Sequence, residues 1–159
     1  MLRFAAALQE ETLKVPNVEK LLAVKGVGII TVAGFLAEVG DIGRFTSPKQ
    51  IQKLAGLEPK ENSSGKHKGR SSISKRGRRK LRRLLFQVVL PLIRSNEDFR
   101  EVYTYYMTRK DNPLKGTQAM IAVSCKVIRI FYAPLTHGMD YSSTRFRTDI
   151  IRPEQAKAA

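Results

Sequence analysis

The sequence predicts a mainly α fold: a helix-hairpin-helix, then a basic serine- and glycine-rich loop, then two to three longer packed helices. Three observations lead to it. Apolar residues recur at helical spacing through most of the chain, as in Leu81, Leu84, Leu85, Val88, Val89 and Leu92. Gly26-Val27-Gly28 punctuates two short apolar helices. From Glu58 to Lys75 apolar residues nearly vanish, Ile73 excepted, which marks a loop or a pair of extended pieces. No repeat is apparent, and strands are expected as a minor component at most.

The elements follow in order. Residues 2–13 form a short helix, with Leu2, Ala5, Ala6 and Leu13 toward one side, ended by Pro16. Asn17 is placed to cap a second short helix over 18–24. After the glycine turn, Val32, Phe35, Leu36 and Val39 continue at helical spacing to a C-cap at Gly40. Ser47-Pro48-Lys49-Gln50 reads as a capping box opening a helix that stops at Gly56. A long helix is expected from Arg78, kinked or broken at Pro91. Phe99, Val102, Tyr103, Tyr106 and Met107 carry the spacing into a further helix, and residues 110–116 form a turn. Met120, Val123, Val127, Ile128 and Phe131 give the last helix, interrupted near Pro134. Residues 138–159 lack periodicity and are expected to be a disordered tail.

Composition narrows the partners. The 159 residues suit one domain, and 42% hydrophobic content suffices for a core. Twenty-nine Lys and Arg against 14 Asp and Glu leave a net charge of +15, which points to nucleic-acid phosphate. A ribosome-type or membrane-surface protein would share that charge. Cys125 is the lone cysteine, so neither a disulfide framework nor a thiolate metal site is expected. No apolar run approaches the roughly 20 residues of a membrane span. The expected location is cytoplasmic.

Few residues have the setting that chemistry needs. The carboxylates are scattered, with no pairing suited to two metal ions. Glu97, Asp98 and Glu101 read as a solvated helix face. His67, His137 and Cys125 are separated in the sequence, so no metal site is expected, and Cys125 reads as a buried structural thiol. The glycine turn, with Gly26 and Gly28, could present helix N–H groups to a phosphate or could be architectural. The weight falls on the basic stretch, where Lys60 to Arg83 hold eleven of the 29 Lys and Arg residues. A serine among these cations could attack a phosphodiester, the cations stabilising alkoxide and developing phosphorus charge. It could equally serve only to hydrogen-bond phosphate.

The order of motifs adds a further argument. Leu21 to Asp41 are followed by Phe45, by Gln50, and by Lys53-Leu54-Ala55-Gly56-Leu57-Glu58-Pro59. Then come Ser64-Gly65, Gly69, Ile73-Ser74-Lys75, Gly77 and Leu81-Arg82-Arg83-Leu84. From about residue 17 to 135 this series resembles the C-terminal domain of the IS110/IS116 type of bacterial insertion-sequence transposases, the serine/DEDD enzymes guided by a structured RNA. The resemblance implies that Ser64, with Ser63 beside it as the alternative, is the nucleophile that forms a phosphoserine link to DNA. It implies a nucleic-acid-binding surface from Gly26, Gly28, Gly65, Lys66, Lys68, Arg70, Ser74, Lys75, Arg76, Arg79 and Arg82, with Lys75 and Arg82 as phosphate clamps. It divides the chain into a linker helix (1–16), the transposase domain (17–137: hairpin 17–45, serine loop 58–77, helical core 78–137) and the tail.

The family also carries an RNase-H-like domain whose four carboxylates hold Mg²⁺, and members act as homo-oligomers. No segment here corresponds to that domain, so the expectation is a transposase or recombinase part that binds DNA and a guide RNA without completing cleavage alone. The competing expectation is a non-catalytic helix-hairpin-helix module for DNA or RNA.

Overall fold

The computed structural model describes residues 2–60, 63–64, 67–68 and 72–150. Among them the fold is mainly α, as the periodicity predicts. Helix α1 spans Leu2–Leu13, α2 Val18–Leu22, α3 Ile29–Val39 and α4 Pro48–Leu54. Four two-residue strands follow: β1 Pro59–Lys60, β2 Ser63–Ser64, β3 His67–Lys68 and β4 Ser72–Ile73. Helix α5 covers Arg79–Ser95, α6 Glu97–Thr108, α7 Gly116–His137 and α8 Ser143–Phe146.

The core forms where the apolar stripes of α3, α5, α6 and α7 meet. Leu81, Leu85, Val88, Val89 and Leu92 bury one side of α5, and Val123, Val127, Ile128 and Phe131 bury one side of α7. Phe35 and Phe131 join α3 to α7, ring edge to face with centroids 5.0 Å apart. Helix α7 is long and apolar enough to cross a membrane by length and composition alone. Here it packs against α2, α4, α5 and α6. Helix α3 runs antiparallel to α5. An added Cβ on Gly26 or Gly34 would meet Leu92 or Leu84 respectively, and Glu38 lies 3.8 Å from Arg78.

Both prolines are accommodated where a break was expected. Pro91 lies on the exposed side of α5, so the lost hydrogen bond faces water while the buried stripe carries the helix on through it to Ser95. The break comes instead at Asn96, whose side chain accepts from the Asp98 N–H to start α6 and donates to Lys25 O. Helix α7 continues through Pro134 to a left-handed cap at Gly138. The capping box expected at Ser47 is not made: the Ser47 side chain makes no cap bond, and Gln50 accepts from the Thr46 N–H, one residue before the cap. On α1, Ala5, Ala6 and Leu13 are exposed rather than inward, and the buried residue is Thr12.

Residues 138–150 correct the expectation of a disordered tail; residues 151–159 lie outside the described residues. Phe146 is buried against Phe99, with ring centroids 4.5 Å apart. Asp98, read from sequence as solvated, accepts hydrogen bonds from Tyr141 and Ser143 and lies 3.5 Å from Arg147 Nε. Arg147 also donates to Glu101 at 2.8 Å. A second anchor joins Lys126, buried on α7, to Asp149 at 3.0 Å and to Phe146 O. Tyr106 donates to the same Asp149 carboxylate. Burial alone would raise the Asp149 carboxyl, but bonds from Tyr106 and Lys126 and the charges of Lys126 and Arg129 hold it below its ordinary 3.8.

A depressed carboxyl contributes its stability above the unfolded value and loses it as the pH falls past the folded one. Replacing Asp149→Asn leaves the Lys126 ammonium without its counter-ion. Because Asp149 is partly exposed, the expected loss is below the 3–5 kcal/mol of a fully buried pair, about 1–3 kcal/mol. Urea unfolding at pH 7 measures it, and the difference from the parent should shrink as the pH drops below about 4.

Candidate nucleic-acid interface

The basic segment is built outward from the C-terminal end of α4. The chain turns at Gly56 (φ +71°), buries Leu57 and enters β1. Strand β1 pairs antiparallel with β4, Pro59 opposite Ile73 and Lys60 opposite Ser72. Further out β2 pairs with β3, Ser63 opposite Lys68 and Ser64 opposite His67. The segment is thus a hairpin on a stem.

The stem is locked to the helical core at its base. Gly77 crosses α4's last turn so closely that an added Cβ would stand 2.3 Å from Leu54 O and 2.9 Å from Gly56 N. Its φ of +141° is also one that side-chain-bearing residues rarely adopt. Hydrogen bonds close the crossing from both sides: Arg78 N–H to Leu54 O, Lys75 N–H to Gly56 O and Ser74 N–H to Glu58 O. Arg82, one turn into α5, donates from Nη1 to Ala55 O at 3.0 Å and to Lys75 O at 3.4 Å.

The sequence-predicted residues fall into three groups. Ser64 and Lys68 occupy the paired strands of the hairpin, Ser64 as the last residue of β2. Gly65, Lys66 and Arg70 lie outside the described residues. Ser74, Lys75, Arg76, Arg79 and Arg82 gather at the stem base and the start of α5, where Lys75, Arg76 and Arg79 are exposed and make no salt bridge among the described residues. Lys75 holds a φ of +53°. Arg82, expected as a phosphate clamp, has one guanidinium nitrogen committed to backbone carbonyls, so part of its role is to hold the stem.

Gly26 and Gly28 form the third group, at the other end of α5. Gly26 (φ +96°) packs on Leu92 and Ser95, where an added Cβ would come within 2.9 Å and 2.8 Å. The rise of about 1.5 Å per helical residue places that end roughly 20 Å from Arg79. Gly28 is the N-cap of α3, with open space around it. The serine hairpin and the glycine turn therefore do not form one site.

Two neighbours escaped the sequence reading. The register sets His67 opposite Ser64, a pairing foreshadowed only by the two-residue Gly65-Lys66 spacer. Cys125, taken as plain core, is half-buried and lines a cavity beside the stem, and burial pushes its thiol up to about 11. Among the described residues no group of three or more His, Cys, Asp or Glu side chains is placed to hold a metal ion.

A basic hairpin fixed to a helical core, beside a row of exposed cations, defines a domain suited to engaging a polyanion. Comparison with known proteins agrees. Residues 18–104, more than half of the chain, match the family described as "Transposase IS116/IS110/IS902 family". The chain is 30% identical over 141 residues to the insertion element IS900 uncharacterized 42 kDa protein of Mycobacterium paratuberculosis, covering 87% of this chain and 35% of that protein. It is 29% identical over 123 residues to the transposase for insertion sequence element IS1111A of Coxiella burnetii, covering 77% and 34%. It is 31% identical over 123 residues to the pilin gene-inverting protein of Moraxella bovis, covering 76% and 37%. The chain belongs to the IS116/IS110/IS902 transposase family, and it spans about a third of the length of these relatives.

The glycine contacts separate architecture from exposure. Gly77→Ala and Gly26→Ala should each lower stability by about 2 kcal/mol or more, and Gly28→Ala should stay within about 0.5 kcal/mol. Chemical denaturation of the three variants, read by circular dichroism, checks the order.

Proposed function

We propose that this chain is the DNA-engaging serine domain of an insertion-sequence transposase, with Ser64 as the nucleophile. The observation that carries the reading is Ser64's position in the outer strand pair of a hairpin whose stem is locked to the core beside Lys75, Arg76 and Arg79. DNA engaged by the hairpin would meet these cations at its base. In the step proposed, the Ser64 oxygen forms a bond to phosphorus as the bond from phosphorus to a sugar oxygen breaks. The serine proton passes to the departing oxygen, giving a phosphoserine link and a free DNA hydroxyl. The number of phosphoester bonds is unchanged, so a second transesterification can rejoin strands.

The metal-binding carboxylates that the resemblance implies would belong to an RNase-H-like segment; among the described residues no group of three or more His, Cys, Asp or Glu is placed to hold a metal ion. A guide RNA, homo-oligomeric assembly and a cytoplasmic setting belong to the same proposal. A second reading, a non-catalytic module binding through the glycine turn, is favoured by Gly28, which opens α3 with nothing around it. The two differ in what Ser64 does.

With the metal-binding domain, DNA and guide RNA supplied in trans, the parent chain should form a covalent protein–DNA adduct on denaturing gels. Ser64→Ala should abolish the adduct while changing DNA affinity less than threefold. An adduct from Ser64→Ala would remove the assignment. The affinity itself should fall with salt, log K dropping by roughly 0.9 per phosphate neutralised on duplex DNA.

A further inference from the structure

Between the hairpin stem and α7 lies a cavity of about 410 Å³, a size suited to a small ligand. Pro59, Ser72 and Ile73 of the stem form one wall, and Ile121, Ala122 and Cys125 of α7 face them. Leu57 and Tyr106 add to the apolar lining. Its polar lining holds Ser72, the Lys126–Asp149 ion pair with the Tyr106 hydroxyl, two glutamine amides and Arg129. Gln118 spends its side-chain oxygen on the Lys115 N–H, leaving the amide NH₂ without a partner among the described residues. Gln52 reaches only the Cys125 carbonyl, at 3.5 Å, and its own oxygen accepts nothing there. Arg129, exposed and lining the same cavity, makes no hydrogen bond or salt bridge among the described residues, and its charge acts on Asp149 across the same lining.

Apolar walls, primary amides that between them donate and accept, and the cations Arg129 and Lys126 match one class of ligand: a nucleobase with its phosphate. Amides can pair with a base edge, apolar walls cover its faces, and arginine takes phosphate in a fork. The position decides where that nucleotide comes from. The stem that carries Ser64 forms one wall of the cavity, which puts the cavity next to any strand that the hairpin engages.

We infer that this cavity takes up one nucleotide swung out of the DNA held by the serine hairpin. The base would lie between Ile73 and Ala122, with the two glutamine amides at its edge and Arg129 at its phosphate. The inference rests on the reading that the hairpin engages DNA. Extruding a base costs its pairing and stacking, and an already unpaired base avoids most of that cost.

Fluorescence anisotropy with two labelled DNA duplexes, one fully paired and one with a single bulged base, tests it. The bulged duplex should bind about tenfold more tightly. Ala122→Phe, which fills the slot, should bring its affinity down to that of the paired duplex, and Arg129→Ala should weaken the preference. Arg129 is exposed, so this variant carries the test should Ala122→Phe fail to fold. Equal affinities for the two duplexes, or a preference that survives both substitutions, would overturn the inference while leaving the DNA reading in place. If neither duplex binds, the DNA reading falls and the inference with it. A preference shown only by a bulged RNA duplex overturns the assignment to DNA.

Discussion

The placement of the serine hairpin hangs on one crossing, where Gly77 passes over the last turn of α4. The approach leaves no room for a side chain, since a Cβ there would stand 2.3 Å from Leu54 O. Three backbone hydrogen bonds and the Arg82 guanidinium close the crossing. A two-residue ladder such as β1–β4 is too short to be stable by itself. Anchored at Gly56 and Gly77, it inherits the rigidity of α4 and α5, and the outer strands with Ser64 are carried on a fixed base. The same crossing sets the start of α5, because Arg78, which bonds Leu54 O, is its N-cap. Hairpin direction and helix position are therefore one constraint.

The charge distribution follows a related logic. Asp98, Glu101 and Asp149 anchor residues 138–150 to α6 and α7, and Glu38 pairs with Arg78. Carboxylates used for internal ties are unavailable to neutralise the hairpin side, where Lys75, Arg76 and Arg79 stay unpaired among the described residues. Part of the net charge of +15 is thereby left unneutralised at the base of the hairpin. The glycine turn, at the far end of α5, is tied to that helix by Gly26 and by the Asn96 side chain bonded to Lys25 O. If both ends contact nucleic acid, they do so as two separate footholds.

Much of the fold was legible because it repeats locally. The stripes of α3, α5 and α6 and the empty pattern of 58–75 are properties of neighbouring residues, and they emerged with close boundaries. What stayed hidden depends on partners far along the chain. Pro91 is harmless only because it faces solvent, and the sequence does not say which way it faces. Residues 138–150 are held by Tyr141 and Ser143 on Asp98 and by Lys126 on Phe146 O, polar ties with no period to detect. Arg82 sat in a run of cations, so its engagement with the Ala55 carbonyl could not be told from phosphate binding. The serine motif was recognised by resemblance, whereas composition alone left Ser64 one of several interchangeable hydroxyls.

The claim that the hairpin stem belongs to the core is open to direct measurement. Native-state hydrogen exchange at the amides of Lys75 and Arg78 reports the opening of the crossing, since these donate to Gly56 O and Leu54 O. The account predicts that both exchange as slowly as buried amides of α5, such as those of Leu85 and Val89. Exchange at the rate of an exposed loop, with α5 still protected, would show that the stem moves independently and would contradict it.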